Sequence, residues 1–489
     1  MALRRASPGG GFLTGGTFGL AFFLPHLWWA NEAVGQPGGW LALSVLEAAA
    51  VGGFGVAWVV VSRSSYLRGR SAAQVAAAAV LWVAVEQLRS RVPFGGFPWG
   101  LLAFSQTDAP LLRLASLGGA PLVSAAVVVV GGLLANAVVL VRDGGVRSVA
   151  TGRVLVAAVA VVVGSGAIPL GVTPEAGTLT VGAVQGNVPA PGADASTQAR
   201  RVAGNHVSGT RDLLRDVGPG GLDVVLWPES SSDIDPRTDR ALGEAVDAVA
   251  RAAGVPILLG TQRFEPPVRY NDYVVWLPGV GVTDTYTKQH PVPFGEYVPY
   301  RSLFRRLSPD IDRVSTDMVA GTRIGLVEVP ISRLGRPVPI TVAICFEVAY
   351  DRLIRESVVA GGELIVIPTN NASFGLTQES TQQLAMSRFR AVEHGRAVVQ
   401  ISTVGVSGMI APDGSLLERT GLFTAEQMVA ALPLRTSLTL AGRLGRWPGA
   451  LIDSAAVVLL VGAQVDALRR RQAGRVATGG RGPGPSPVV

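Results

Sequence analysis

The hydrophobic positions of this chain are concentrated in long uninterrupted runs near its two ends, whereas the middle has a different pattern. Each long run is close to the roughly 20 residues that a helix needs to cross a bilayer. These runs predict six membrane-spanning helices, at about 11–30, 39–62, 72–90, 118–141, 154–172 and 449–468. We therefore expect an N-terminal transmembrane helical domain of about five spans over residues 1–174 and a C-terminal transmembrane helix over 441–470.

The middle of the chain, residues 175–440, contains short apolar runs rich in β-branched residues, such as 224–227 and 340–345. Stretches with helical periodicity lie between some of these runs, at 237–253 and 381–394. Strands that alternate with helices in this way predict an α/β domain. A further segment, 94–117, is aromatic and interrupted by proline and glycine, which favours an interfacial or re-entrant segment over a spanning helix.

Positive charge predicts the orientation of these spans. Arginines precede the first span, separate the second from the third and the fourth from the fifth, and follow the sixth. Since basic residues accumulate in cytoplasmic loops, five spans would carry the chain outward and the sixth would return it. The α/β domain is then extracytoplasmic. Residues 471–489, rich in arginine, glycine and proline, are predicted to be a disordered cytoplasmic tail.

Composition supports a membrane protein and excludes several other classes. Hydrophobic residues make up 48% of the 489 positions and charged residues only 16%. The net charge of +7 comes almost wholly from arginine in loops and the tail, so it is not read as a nucleic-acid signal. One cysteine excludes an intrachain disulfide, and four scattered histidines argue against a zinc site.

Three side chains in the middle region are candidates for chemistry because each lies at a strand end or in the loop beside one. Glu229 follows an apolar run and a proline, and Cys345 ends the run at 340–345. Lys288, the one lysine in the chain, begins a proline-rich loop that also contains Glu296. A strand end delivers a side chain rigidly to the edge of a sheet, where ligands of α/β proteins bind.

Each of these residues also has an ordinary explanation when it is taken alone. Glu229 fits a solvated glutamate after a turn, Lys288 fits chance retention in an arginine-rich chain, and Cys345 fits a small buried hydrophobe. A nucleophilic cysteine needs a base and a positive neighbour to stabilise its thiolate. Glu229 and Lys288 would supply both if the fold brings them to Cys345.

The order and the amino-acid sequences of these motifs resemble those of a known family. The sequence is similar to the apolipoprotein N-acyltransferase branch of the nitrilase, or carbon–nitrogen hydrolase, superfamily. The resemblance rests on the segments 227–229, 288–299, 344–347, 368–375 and 388–396 in the middle region and 86–89, 97–99 and 105–106 in the membrane part. It implies a multi-pass helical domain in a bacterial plasma membrane, joined to an extracytoplasmic nitrilase-like α-β-β-α sandwich.

The resemblance also implies an activity and assigns roles to residues. Cys345 would take an acyl chain from a phospholipid as a thioester and pass it to the N-terminal amine of a diacylglyceryl apolipoprotein. Glu229 would be the general base, and Lys288 with the Phe346 backbone N–H would stabilise the oxyanion. The implied supporting and substrate-binding residues are Glu296, Glu347, Phe346, Asn370 and Tyr297. No cofactor, metal or nucleic acid is implied, and membrane lipid surrounds the enzyme.

The sequence departs from the family pattern in two respects. The family has eight membrane helices where six are predicted here, so we expect either an N-terminal hairpin missing from this chain or an unrecognised re-entrant segment. Ser373 and Asn371 stand where the family has tryptophan and aspartate, and Phe346 lacks the hydroxyl of a tyrosine. These departures concern substrate contacts and leave Glu229, Lys288 and Cys345 in place.

Two other functions remain open from the sequence. One is a membrane-tethered amidase or nitrilase that hydrolyses its thioester with water. The other is a docking scaffold for a polyprenol-phosphate mannosyltransferase, an arrangement that some actinobacterial relatives resemble.

Overall fold

The computed structural model describes residues 6–144, 148–188, 195–306 and 308–479. Its N-terminal part is helical. The helices before the first strand are α1 (Pro8–His26), α2 (Trp28–Val34), α3 (Pro37–Ser62), α4 (Ser71–Arg89), α5 (Ala115–Gly144, with a break at Gly118–Gly119) and α6 (Val149–Gly166). The segment between α4 and α5 contains only turns and two short 3-10 helices.

Five helices among the described residues are long and apolar enough to cross a membrane: Pro37–Ser62, Ser71–Arg89, Pro110–Arg142, Val149–Gly166 and Trp447–Ala473. The pattern predicted six, and the difference is α1, whose many glycines contribute little hydropathy. The predicted span at 11–30 also differs from the structure, because α1 ends at His26 and α2 starts at Trp28. The last helix continues through Gly479, past the predicted boundary at 470, and the end of the predicted tail lies outside the described residues.

Glycines let α1 pack closely on α3. A Cβ on Gly11 would lie 2.7 Å from the Gly55 carbonyl oxygen, and one on Gly15 would lie 2.5 Å from the Val51 carbonyl oxygen. Gly19 makes a similar approach to Ala48. Small residues spaced four apart are typical of helix pairs in lipid, where close backbone approach supplies the attraction. The packing therefore places α1 within the membrane bundle despite its lower hydropathy.

The α/β part begins after α6, and its described residues contain thirteen strands. The strands are β1 (Thr178–Gln185), β2 (Val224–Leu226), β3 (Ile257–Glu265), β4 (Val268–Leu277), β5 (Gly281–Thr287), β6 (Asp317–Met318), β7 (Leu326–Ile331), β8 (Arg336–Val342), β9 (Leu364–Thr369), β10 (Val398–Ser402), β11 (Gly408–Ile410), β12 (Leu416–Arg419) and β13 (Glu426–Pro433). The remaining helices are α7 (Ala195–Val217), α8 (Arg240–Ala253), α9 (Arg301–Phe304), α10 (Asp351–Val359), α11 (Glu379–His394), α12 (Leu440–Leu444) and α13 (Trp447–Gly479).

These strands form two mixed sheets. The first has the order β13-β1-β2-β3-β4-β5, with β6 paired to β4, and the second has the order β12-β11-β10-β9-β8-β7. Parallel pairs occur in the middle of each sheet and antiparallel pairs at the edges, as in β1 with β2 and β1 with β13. The prediction of several long apolar helices joined to an α/β domain is confirmed.

Apolar side chains hold the sheets and helices together in layers. One buried cluster fills the space between the sheets, with members such as Val181, Val329 and Val366. A second joins the first sheet to α7 and α8. A third joins the second sheet and α11 to the membrane helices, and it includes Trp99 and Phe346. The membrane part thus shares a core with the layer that carries Cys345.

Candidate active site

Cys345 lies at the turn that follows β8. That strand ends at Val342, and a 3-10 turn over Cys345–Ala349, called the nucleophile turn below, begins at the cysteine. The φ angle of Cys345 is +55°, in the left-handed region that non-glycine residues seldom occupy. Such backbone outliers persist only where surrounding contacts hold them, and they cluster at functional sites. The residue as a whole is part-exposed, although the thiol itself lies in buried surroundings.

The Glu229 carboxylate is buried just beyond the end of β2 and is held by three donors. Its Oε1 accepts hydrogen bonds from Asn271 Nδ2 at 2.6 Å and from Lys288 Nζ at 3.2 Å. Its Oε2 accepts a hydrogen bond from the backbone N–H of Asn370 at 2.9 Å. Because both oxygens have partners, the carboxylate has a defined orientation toward its neighbours.

Lys288 is the first residue after β5, and only 1% of its side chain is exposed. Its Nζ also donates to Glu296 Oε1 at 2.7 Å. The other oxygen of Glu296 accepts from the backbone N–H of Val292 at 2.7 Å, which closes the loop around the lysine. A buried ammonium group is tolerated only with such partners. The structure therefore brings Glu229, Lys288 and Glu296 into one ion-paired cluster.

The protonation states of these groups depend on one another. Burial raises the pKa of the Cys345 thiol, Glu229 raises it further, and Lys288 opposes the rise. Burial also raises the pKa of Glu229, although the Lys288 charge opposes this. Burial alone would lower the pKa of Lys288, but the two carboxylates outweigh it and the pKa rises. These directions favour a protonated thiol and a charged ammonium group, and they make Glu229 a stronger proton acceptor than an ordinary carboxylate.

Glu347 connects the nucleophile turn to the lysine loop. Its Oε2 accepts from the backbone N–H of Ile344 at 2.6 Å, one residue before the cysteine. Its Oε1 accepts from the backbone N–H groups of Gln289 and His290 at 2.7 and 2.9 Å. The Tyr286 hydroxyl donates to the same carboxylate. Glu347 is completely buried, and burial raises its pKa, while these donors favour the carboxylate form.

Phe346 forms part of an aromatic wall between the site and the membrane helices. Its ring stacks with those of Phe97 and Trp99, with centroid distances of 5.7 and 6.0 Å. The wall continues to Trp29, whose ring lies 5.3 Å from that of Trp99. The segment predicted to be interfacial or re-entrant therefore contacts the nucleophile turn. An apolar wall of this kind suits the hydrocarbon part of a lipid.

The two other predicted residues, Asn370 and Tyr297, contribute to the site partly through their backbone groups. Asn370 contacts Glu229 through its backbone, and its Oδ1 accepts hydrogen bonds from the Thr403 hydroxyl at 2.9 Å and the Ala372 N–H at 3.1 Å. The backbone carbonyl of Tyr297 accepts from Phe294 N–H at 2.7 Å, which shapes the loop beyond Glu296. Burial raises the pKa of the Tyr297 hydroxyl.

Two polar residues of the site were missed in the sequence. Asn271 lies in the polar first half of β4, next to Asp272, so nothing in the sequence marked it, and only its burial in the structure shows that it needs a partner. Glu379 is 2% exposed and accepts from Asn371 Nδ2 at 2.6 Å, which puts a carboxyl group beside this asparagine. Burial raises the pKa of Glu379 to about 8. Its negative charge also raises the pKa of Cys345, so the two groups are near neighbours.

One group among the described residues has the spacing of metal ligands. Asp351, Glu393 and His394 place ligand atoms within 4.8 Å of one another. Arg355 pairs with Asp351 at 3.1 Å, and Arg390 pairs with Glu393. Both carboxylates are therefore already neutralised by cations. The expectation of a site without metal or cofactor stays a prediction.

Comparison with known proteins links both parts of the chain to one family. The model of the apolipoprotein N-acyltransferase N-terminal domain matches residues 1–133, and that of carbon–nitrogen hydrolase matches residues 180–438. An apolipoprotein N-acyltransferase from Mycolicibacterium smegmatis is 40% identical over 480 residues, covering 92% of this chain and 77% of the relative. One from Azotobacter vinelandii is 31% identical over 503 residues, covering 98% and 90%. A solved amidase from Nesterenkonia sp. shares 14% identity with a TM-score of 0.39, covering 54% of this chain and 94% of that chain.

Proposed function

Because this chain belongs to the apolipoprotein N-acyltransferase family, as its motifs predicted, we propose that it transfers an acyl chain from a phospholipid to the N-terminal amine of diacylglyceryl apolipoproteins through a Cys345 thioester. It is an acyltransferase and a membrane protein, and both predictions are confirmed at that level. The donor and acceptor, the thioester and the catalytic roles are parts of the proposal. So are the domain limits at 174, 440 and 470 and the extracytoplasmic side of residues 175–440.

The first half-reaction begins with transfer of the Cys345 thiol proton to Glu229. Glu229 accepts the thiol proton as the sulfur attacks the ester carbonyl carbon of the phospholipid. The negative charge that develops on the carbonyl oxygen is stabilised by Lys288 Nζ and by the backbone N–H of Phe346. The intermediate then breaks its carbon–oxygen bond. Glu229 returns the proton to the departing lysophospholipid, and the acyl group remains on the sulfur.

The second half-reaction uses the same groups in the same order. The α-amine of the acceptor's N-terminal cysteine attacks the thioester carbonyl, and Glu229 accepts the amine proton. The carbon–sulfur bond breaks, an amide forms, and the proton passes to the leaving sulfur to restore the thiol. Glu296 and Glu347 position Lys288 and the nucleophile turn throughout, while Asn370 and Tyr297 shape the space beside Glu229.

One observation carries this proposal more than any other. Glu229 and Lys288 share a 3.2 Å contact beside a thiol whose turn is packed against membrane-part aromatic residues. Both proposed substrates are anchored in lipid by their acyl chains. A thiol set at this junction can receive them without extracting either one from the membrane.

The test is intact-mass analysis of the purified protein in phospholipid vesicles, with Cys345→Ala as the matched control. The proposal expects one acyl group on the wild type only, and its discharge by a diacylglyceryl lipopeptide with formation of the N-acyl peptide. Discharge by water without modified peptide would favour the hydrolase. No adduct on the wild type under any condition would favour the docking scaffold for a glycosyltransferase.

A further inference from the structure

A buried arginine of α11, Arg390, donates hydrogen bonds to two backbone carbonyls of the nucleophile turn. Arg390 Nε donates to the carbonyl oxygen of Val348 at 2.8 Å, and its Nη2 donates to that of Ala349 at 2.7 Å. Both carbonyls belong to the turn that begins at Cys345. Arg390 is 1% exposed, so its planar guanidinium fixes the position of this turn through hydrogen bonds made in the protein core.

The same arginine is tied to the membrane part through Glu393. One oxygen of Glu393 pairs with Arg390 Nη1. The other accepts a hydrogen bond from the backbone N–H of Ala120 at 3.3 Å. Ala120 is the first residue of α5 after the break at Gly118–Gly119, where helical N–H groups lack intrahelical partners. The carboxylate therefore caps the long spanning section of α5 at its positive end.

Gly119 allows this contact because it has no side chain. Its φ is +64°, and a Cβ at this position would lie 2.5 Å from Glu393 Oε1. A continuous path of contacts thus runs from the start of a membrane helix through Glu393 and Arg390 to the turn that carries the thiol. The Arg390–Glu393 pair also explains why the carboxylates near His394 do not form an evident cation site, since Arg390 and Arg355 occupy them.

We propose that Arg390 and Glu393 are positioning residues that set the nucleophile turn according to the position of α5 in the membrane. The thiol then adopts its reactive geometry only when the membrane helix is seated against α11. Both side chains are buried, so we expect their effect to be on the rate of acyl transfer and not on lipid binding. This inference rests on the proposed thioester chemistry and adds a route by which the membrane part controls it.

The test perturbs the path from its membrane end and compares two substitutions in the same helix. Gly119→Ala places a methyl group against Glu393 and also strains the backbone at a φ of +64°, whereas a Cβ on Gly131 meets nothing within 4 Å. Gly131→Ala therefore controls for the added methyl group, and Glu393→Gln, described below, tests the contact without backbone strain. Each full-length variant is placed in phosphatidylethanolamine-containing vesicles, and the rate of thioester formation is measured against phospholipid concentration. Displacement of a reacting group by about 1 Å costs up to about a hundredfold in rate. We expect a loss of about tenfold or more in maximal rate for Gly119→Ala, an unchanged half-saturating concentration, and wild-type behaviour for Gly131→Ala.

A second variant covers the case in which Gly119→Ala does not fold. Glu393→Gln keeps the shape of the side chain and can still accept from Ala120, but it loses the charge that pairs with Arg390. The same tenfold loss in maximal rate, with an unmoved half-saturating concentration and a cooperative thermal transition, is expected. Wild-type rates in a folded Glu393→Gln would overturn the inference, as would equal losses in Gly119→Ala and Gly131→Ala.

The readout separates this inference from the proposed function. If the wild type forms no thioester, the proposed function fails before any variant is compared. If the wild type forms one and the variants match it, only the positioning role fails.

Discussion

Replacing Glu347 by glutamine should separate the nucleophile turn from the lysine loop without changing the size of the side chain. The carboxylate accepts from Ile344 N–H through one oxygen and from Gln289 and His290 N–H through the other. The glutamine amide has one oxygen in place of two. Its NH₂ group, which cannot accept a hydrogen bond, must therefore face either the Ile344 N–H or the N–H groups of Gln289 and His290. The better arrangement keeps the oxygen toward Gln289 and His290 and leaves the Ile344 N–H without an acceptor.

The size of the effect follows from that lost acceptor. A buried donor left unsatisfied costs about 1–3 kcal/mol of unfolding free energy. For a domain of this size the midpoint of thermal unfolding falls by roughly 2–4 °C for each kcal/mol. Ile344 immediately precedes Cys345, so its movement also displaces the sulfur, and we expect thioester formation to slow by about tenfold or more.

The assay combines thermal unfolding of the purified variant with intact-mass measurement of thioester formation. Glu356→Gln is the matched control, because this α10 glutamate is 37% exposed and makes only a 3.3 Å pair with Arg352 on the surface. Exposed pairs of this kind contribute about 0–1 kcal/mol. Wild-type unfolding and wild-type acylation in Glu347→Gln would refute the argument that this carboxylate holds the two loops together.

Two further predictions concern the polar residues that lie beside the site. Since Asn271 donates to Glu229 and lowers its pKa, Asn271→Leu should move the acid limb of the pH–rate profile for thioester formation to higher pH; an unmoved limb would contradict this role. Burial raises the pKa of Glu379 to about 8 from 4.5, so the folded state holds the proton more tightly than the unfolded state. The resulting stabilisation is complete below about pH 4.5 and is lost as pH rises to about 8, at up to about 1.4 kcal/mol per pH unit. The unfolding midpoint of Glu379→Gln should therefore depend less on pH than that of the wild type between about pH 5 and 8, and parallel curves would exclude an elevated pKa.

Local sequence patterns were sufficient to predict most secondary-structure elements and the main candidate residues of the site. The long apolar runs predicted α3, α4 and α5 to within three residues at each end, because spanning helices need continuous hydrophobic sequence. The run at 154–172 is displaced from α6 (Val149–Gly166), and α13 continues to Gly479, well beyond the predicted end at 468. The start of α8 was placed at 237, but the helix begins at Arg240, where the Asp239 side chain caps it by accepting from the Leu242 N–H. Such differences arise because a capping hydrogen bond decides a boundary that periodicity leaves open.

The sequence by itself determined the family, the two-part architecture and the identity of Glu229, Lys288 and Cys345 as candidates. Short sequence motifs identify the family and these candidates because residue type and position at the end of a strand are local properties of the chain. The tertiary structure alone decided which polar groups meet, such as Glu229 with Lys288, 59 residues apart, and Glu393 with Ala120, 273 residues apart. Those contacts depend on sheet register and on how α11 packs against α5. No local pattern encodes either of them, because both are set by burial of apolar surface contributed from distant parts of the chain.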